Sequence, residues 1–328
     1  MPFIISFLFG IIPMLVYAWF IYWLDRYEKE PKTLLGGVFI WGAILSAGAA
    51  YLLNSILGLG IYLFTGSETV TSLTTGSLIA PFVEESLKGV GVLGVFLFFR
   101  REFDSYLDGV VYAAITALGF AATENIIYIY DKGYLESGYS GLLWLAFIRV
   151  ILVGWQHPFY TAFTGIGLAK SRLTNNPFIK YTAPIIGWIL SIFNHALHNT
   201  LASLITSAGG LIIATMVDWT GWLFIFGFTV WAIYEEKRYI IHQLKEEISL
   251  GTISIAQYCT ACSTWAQSRS RLAALASGRF RVTHNFYQKC AELAHKKHQF
   301  DLLGDEQGNI AIIDRLRAEL RSLATLIS

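Results

Sequence analysis

Long apolar runs separated by short polar breaks fill the first two thirds of the chain. Seven of them, at about 2–24, 34–58, 73–99, 107–129, 142–169, 181–205 and 209–234, are each near the roughly 20 residues a helix needs to cross a bilayer. Backbone groups in lipid must pair internally, so each run predicts a helix. The runs are too continuous for the alternating pattern of membrane barrel strands. From Glu235 the chain turns polar. Glu235–Ser249 reads as a helix with basic residues at its membrane end, which suits contact with anionic lipid. Gly251 ends it, further helices follow over 254–300 and 310–326, and a turn lies around Gly304–Asn309. The expected fold class is all-α: a membrane bundle of about seven spans over 1–234 and a small helical extension over 235–328.

Charge gives this bundle an orientation. Lysines and arginines near span ends favour the cytoplasmic side. The first loop holds Arg26, Lys29 and Lys32, the third Arg100 and Arg101, and the fifth Lys170, Arg172 and Lys180, whereas Lys132 alone falls in the even loops. This alternation requires an odd number of spans. It places the N-terminus outside and the odd loops and the tail in the cytosol. No basic residue precedes Arg26, so Met1–Trp23 reads as a retained span and not as a cleaved signal. Only 14% of residues are charged, against about 25% in soluble domains. The net charge of +1 averages two solvents, and no basic face points to nucleic acid. The three cysteines, Cys259, Cys262 and Cys290, all lie in the tail. They form neither a disulfide framework nor a spacing suited to zinc, and a cytosolic tail keeps its thiols reduced.

Ionisable residues inside spans are costly, by about 2.5–3.5 kcal/mol each on insertion scales, and mark functional sites by default. Four such places stand out. The third run carries Glu84, Glu85 and Lys88 near mid-membrane, with Lys88 in reach of both acids on the same helix. Adjacent residues point about 100° apart on a helix, so the two acids cannot serve identical roles. Two neighbouring carboxylates in low dielectric also resist ionising together. Pro81 removes a backbone donor one turn earlier and opens the helix there. The fourth run carries Phe120, Glu124 and Asn125, the fifth Gln156, His157 and Thr161, and the sixth Asn194, His195, His198 and Asn199. A single such residue, Asn54 or Asn194 for example, reads as polar glue between helices, and Arg149 is expected to snorkel to the interface. Carboxylates, imidazoles, amides and a lysine at similar depth on four successive spans predict a shared polar cavity. Those groups are the usual parts of a general-base or metal site.

Glu-Glu-x-x-Lys (Glu84, Glu85, Lys88), Phe-x-x-x-Glu-Asn (Phe120, Glu124, Asn125), His-Pro-x-x-Thr (His157, Pro158, Thr161) and His-x-x-x-Asn (His195, Asn199) occur in this order on successive spans. The set resembles the PrsW family of intramembrane proteases, grouped with the CAAX prenyl endoproteases and the Abi membrane proteases. The resemblance covers about 1–234. It implies a multi-pass protease of the bacterial plasma membrane, of a type that cleaves a single-span anti-sigma factor on its extracytoplasmic side. It also implies that Glu84, Glu85 and His195 are essential. Two mechanisms stay open. Without metal, Glu84 or Glu85 with His157 activates water while His195 and Asn199 stabilise the oxyanion. With metal, Glu124, His157 and His195 hold Zn²⁺ and one Glu acts as base; no HExxH is present, so ligands must converge from separate helices. Lys88, Phe120, Asn125, Thr161 and His198 are expected to support these groups. A proton-coupled transporter would use similar residues but predicts internal repeats, which the chain lacks. A non-catalytic scaffold of the same fold has no use for the intact motif set.

Overall fold

A computed structural model of the protein describes residues 1–204, 208–305 and 308–327. Among the described residues the structure is helical without strands: α1 (Pro2–Leu24), α2 (Lys32–Ile40), α3 (Ala47–Thr65), α4 (Glu68–Thr74), α5 (Ala80–Phe98), α6 (Tyr106–Tyr128), α7 (Leu135–Ala146), α8 (Gln156–Arg172), α9 (Pro177–Leu204), α10 (Ala208–Ser249), α11 (Ile255–Ala261), α12 (Thr264–Ala276), α13 (Phe280–Leu303) and α14 (Asn309–Ile327). Wide π-helical turns at Trp41–Ser46, Thr75–Ile79, Ile129–Tyr134 and Phe147–Leu152 join several of these. The chain divides into two units: Met1–Trp23, Glu30–Ser171 and Phe178–Phe228 form the first, and Leu24–Lys29, Arg172–Pro177 and Thr229–Ser328 the second.

Four helical stretches are long and apolar enough to cross a membrane: Pro2–Leu24, Lys32–Thr65, Tyr106–Arg172 and Thr215–Ser249. The third and sixth predicted spans are helical but fall outside these four. The reason is the site itself: α5 carries Glu84, Glu85 and Lys88, and α9 carries Lys180, His195 and His198 beside Asn194 and Asn199. The end of the sixth predicted span, at residue 205, lies outside the described residues. Large apolar side chains point outward along the spans, Phe3, Trp19, Leu52, Leu63 and Phe193 among them, as a surface solvated by lipid requires.

Helix α6 is the centre of the first unit. Ser105 and Asp108 form a reciprocal capping box at its start, which satisfies two otherwise orphaned amides. Every residue from Leu107 to Ala122 is buried, so the helix is enclosed all round. Small residues allow this. A Cβ on Gly119 would strike the Phe39 carbonyl, and one on Gly165 of α8 would strike the Gly109 carbonyl. Such close backbone approach is how helices associate in lipid, where the hydrophobic effect gives no drive. Polar ties then fix the neighbours: Thr123 Oγ1 donates to the Ala43 carbonyl at 2.6 Å and Trp41 Nε1 to the Leu87 carbonyl at 2.9 Å.

The fifth predicted span is not one continuous helix. It comprises the end of α7, the π turn Phe147–Leu152, a break at 153–155, and α8. Pro158 explains the break, because its ring clashes with the carbonyl four residues back, that of Gly154. The expected opening at Pro81 takes the form of the π turn Thr75–Ile79 just before α5.

In the second unit the predicted helix at Glu235–Ser249 is the end of α10. The predicted helical stretch 254–300 is three helices, not one. Ser254 and Ser263 cap α11 and α12, and Gly278, at φ +69°, turns the chain before α13. Part of the predicted turn at 304–309 lies outside the described residues. Tyr27, Leu244, Phe286, Leu293, Leu316 and Leu320 form the core. Beside it the fully buried Glu247 side chain accepts from Lys297 Nζ at 2.7 Å and Arg317 at 2.8 Å.

Candidate active site

The motif residues converge. Glu84, Glu85 and Lys88 lie on α5, Phe120, Glu124 and Asn125 on α6, His157 and Thr161 on α8, and His195 on α9. The break before α8 puts His157 in that helix's first turn, where its ring reaches α6 and α9. The rings of His157 and His195 stand 5.3 Å apart at 87°. Hydrogen bonds at Ser191 hold α8 to α9 at this level: its Oγ donates to the Tyr160 carbonyl at 2.6 Å, accepts from the Thr164 amide at 3.2 Å and lies 2.8 Å from Thr164 Oγ1.

The two adjacent glutamates have different surroundings, as their divergent directions require. Glu85 is fully buried and fully engaged. Its Oε1 accepts from Lys88 Nζ at 2.5 Å and faces His195 Nδ1 at 2.9 Å, and its Oε2 accepts from Thr161 Oγ1 at 2.8 Å. Glu84 has one long contact, from Asn54 Nδ2 to Oε1 at 3.3 Å. Its buried Oε2 has no hydrogen-bond partner among the described residues and lies 3.8 Å from His195 Nε2. Lys88 is also fully buried, with Nζ 3.2 Å from His157 Nδ1 and 4.3 Å from the centre of the Phe120 ring.

Each histidine is paired with its own carboxylate, His195 with Glu85 and His157 Nε2 with Glu124 Oε2 at 2.8 Å. Such partners fix the tautomer and ring orientation of a metal-binding histidine. One ligand atom from each of Glu84, His157 and His195 lies within 4.8 Å of the others, and the bare Glu84 oxygen is the feature a cation would satisfy. The grouping differs from the ligand set expected from sequence, in which Glu124 joined His157 and His195. Glu124 is engaged elsewhere, because Arg149 donates to its Oε2 at 2.5 Å.

Arg149, expected to snorkel, is tied to α6. It donates to Glu124 and, through Nε, to Asn125 Oδ1 at 2.8 Å, and its guanidinium sits 4.1 Å from the Tyr128 ring centre. The bond to Glu124 is charge-assisted, which makes it one of the stronger ties of the cluster. Asn199 Nδ2 donates to the Gly76 carbonyl at 2.8 Å, tying α9 to the π turn before α5. His198 belongs to a second polar group that the motifs did not reveal. Its Nδ1 pairs with Asp218 Oδ2 at 2.8 Å and Gln156 Nε2 reaches Asp218 at 2.5 Å. The Tyr160 hydroxyl donates to the same carboxylate at 3.4 Å while its ring stacks on His195 at 4.9 Å. A signal for this group exists in the chain, since Asp218 is the only acid in the run 209–234.

Beside the site a cavity of about 460 Å³ opens between α3, the start of α5 and α6. Glu84, Glu124 and Phe120 line it, with small walls at Ala47, Ala50 and Gly76. The cavity therefore borders the carboxylates of Glu84 and Glu124 within the polar cluster.

The all-helical chain, apolar outside with a buried carboxylate–imidazole cluster, is of the class of multi-pass membrane proteins with an intramembrane polar site. Comparison with known proteins makes this specific. Residues 30–232 match the model of the PrsW family intramembrane metalloproteases, and the chain belongs to that family. Protease PrsW of Clostridioides difficile is 34% identical over 126 residues, 38% of this chain and 51% of that protein. Protease PrsW of Bacillus subtilis is 29% identical over 165 residues (50% and 68%), and that of Geobacillus kaustophilus is 26% identical over 194 residues (58% and 77%). The match thus spans about half the length of the first relative and more than two thirds of the other two. No solved structure matches the chain. Membership establishes an intramembrane protease with a multi-pass location in a bacterial membrane.

Proposed function

We propose that the protein hydrolyses a peptide bond of a single-span membrane protein, an anti-sigma factor being the family's type of target, and that Glu84, His157 and His195 hold a Zn²⁺ ion for this reaction. The observation that carries the assignment is the buried, unpartnered Glu84 Oε2 facing two histidines. Two histidines and one carboxylate are a common catalytic zinc set. Held there, a zinc ion would supply Lewis-acid polarisation of a carbonyl and a lowered pKa for bound water. Glu85 and Glu124 orient His195 and His157. In this reading Glu124, which also lines the cavity, accepts the proton of the attacking water and returns it to the leaving amine. Lys88 and Arg149 balance the charge of Glu85 and Glu124, and Thr161 and Phe120 hold Glu85 and Lys88 in place. Asp218 positions the Tyr160 ring on His195.

A metal-free route has one observation in its favour. Both nitrogens of His157 already have partners, Lys88 and Glu124, so holding a cation trades one of those bonds. In that reading Glu84 alone activates water.

The seven-span topology, with N-terminus outside and tail in the cytosol, rests on the alternation of basic loops. In that topology Glu84 and the histidines sit toward the extracytoplasmic half, the side on which the family's anti-sigma target is cut.

Cleavage of a single-span reporter by purified protein in proteoliposomes tests the assignment, comparing wild type, Glu84→Gln, His157→Ala and His195→Ala, with and without chelator. Loss of activity on chelation, restored by Zn²⁺, supports the metal site, and activity that survives chelation but not Glu84→Gln supports the metal-free route. Full cleavage by all three variants refutes the site.

A further inference from the structure

The extension beyond residue 232 lies outside the matched family region, and one part of its surface is unusual. No aspartate or glutamate occurs between Glu247 and Glu292, while Arg269, Arg271, Arg279, Arg281 and Lys289 do. Within this acid-free stretch α12 is built inside out. Its one buried residue is polar: Gln267, whose Nε2 donates to the Ala261 carbonyl at 2.8 Å and whose Oε1 accepts from Arg271 at 2.8 Å. Its large apolar side chains face away from the unit, with Trp265 73%, Leu272 67% and Leu275 62% exposed.

Helical spacing puts Trp265, Arg269, Leu272 and Ala276 on one face, opposite Gln267. At the next turn of chain Phe280 is exposed between Arg279 and Arg281. A tryptophan and leucines interleaved with arginines, with no acid in the stretch, match the chemistry of a helix lying in a lipid interface. In such a helix arginines meet headgroup phosphates, and the indole and leucines enter the acyl boundary. The chain reaches this unit directly out of a stretch, Thr215–Ser249, long and apolar enough to cross a membrane.

We propose that α12 and the start of α13 form a docking surface for the anionic phospholipid headgroups of a bilayer. The surface anchors the extension by a mixture of charge and apolar insertion, separately from the membrane spans. Since attraction of basic residues to anionic lipid is additive and screened by salt, occupancy follows the local content of anionic lipid. The extension is thereby a lipid-dependent element of a membrane protease.

Hydrogen exchange on the full-length protein in nanodiscs tests this. One set contains phosphatidylcholine alone and the other an equal share of phosphatidylglycerol. Exchange over 264–281 is expected to slow roughly tenfold or more in the anionic discs and to recover at about 0.5 M salt. The triple change Arg269→Gln, Arg279→Gln, Arg281→Gln is expected to erase the difference between lipids, and Trp265→Ser to reduce protection in the anionic discs. Unchanged exchange over 286–303, within the core helix α13, shows that these exposed changes leave the fold intact. Equal exchange in the two lipids overturns the proposal. So does protection that tracks protein concentration, which marks a second copy as the partner, or protection that appears only on adding nucleic acid.

Discussion

Glu84 and Glu85 are neighbours in sequence, yet their replacement by glutamine is expected to affect stability very differently. Glu85→Gln removes the negative partner of Lys88, which is fully buried 2.5 Å away. It also weakens the pairing with His195 and Thr161. Breaking a buried ion pair from one side costs about 3–5 kcal/mol, because the other charge stays desolvated and unpaired. Glu84→Gln removes a carboxylate with one 3.3 Å amide contact and one bare oxygen, so its cost stays within about 1 kcal/mol. The gap of about 2 kcal/mol or more corresponds to roughly a 30-fold difference in the unfolding equilibrium. Unfolding of metal-free protein in mixed micelles by rising SDS, followed by far-ultraviolet circular dichroism, measures it. Both variants are expected to lose cleavage. Only Glu85→Gln is expected to unfold early, and pairing it with Lys88→Met is expected to reveal a coupling of about 1–3 kcal/mol. If the two single variants unfold alike, or if Glu85→Gln stays within about 1 kcal/mol of wild type, the division of roles drawn from the geometry is wrong.

Three further outcomes are expected. Zn²⁺ at a hundredfold excess over its dissociation constant stabilises metal-free wild type by about 2.7 kcal/mol, and Glu84→Gln and His195→Ala abolish this gain; thermal unfolding with and without Zn²⁺ checks it independently of activity. Gly76→Leu is accommodated by the fold, since nothing lies within 4 Å of an added Cβ, but it fills the cavity wall; melting within about 1 kcal/mol of wild type with cleavage down at least roughly tenfold is the expected pair of readings. In the extension, hydrogen bonds from Arg317 and Lys297 outweigh burial and hold the Glu247 carboxyl below its ordinary value of 4.5. Its stabilisation is therefore present above that value and is lost as pH falls through and below it; acid titration of the circular dichroism signal checks this, and Arg317→Met is expected to flatten the acid transition.

Charged residues in apolar runs are conspicuous, so the four motif sets are legible in the amino-acid sequence. The spans that hold them are legible for the same reason, although α5 and α9 are less apolar than the others because of those residues. What pattern cannot supply is direction. The unequal surroundings of Glu84 and Glu85 depend on which face of α5 meets α8 and α9. The pairing of Arg149 with Glu124, and of Asn199 with the Gly76 carbonyl, are contacts between helices, which hydropathy does not encode. The break before His157 is readable from Pro158 and Gly154, but an unbroken apolar run hides it. Asp218 is readable as a lone acid in a span. In the extension, the Ser254 and Ser263 caps and the turn at Gly278 divide what reads as one helical stretch.

The enclosure of α6 has a consequence for variation in this protein. Inserting a single residue between Gly119 and Glu124 would leave the apolar character of that span almost unchanged. It would nevertheless swing Glu124 about 100° around the helix axis and shift it about 1.5 Å along it, away from His157 and Arg149. Two chains with indistinguishable hydropathy profiles can therefore differ completely in whether their reacting groups meet. For this architecture the helical phase of the central span, more than its composition, is what has to be preserved.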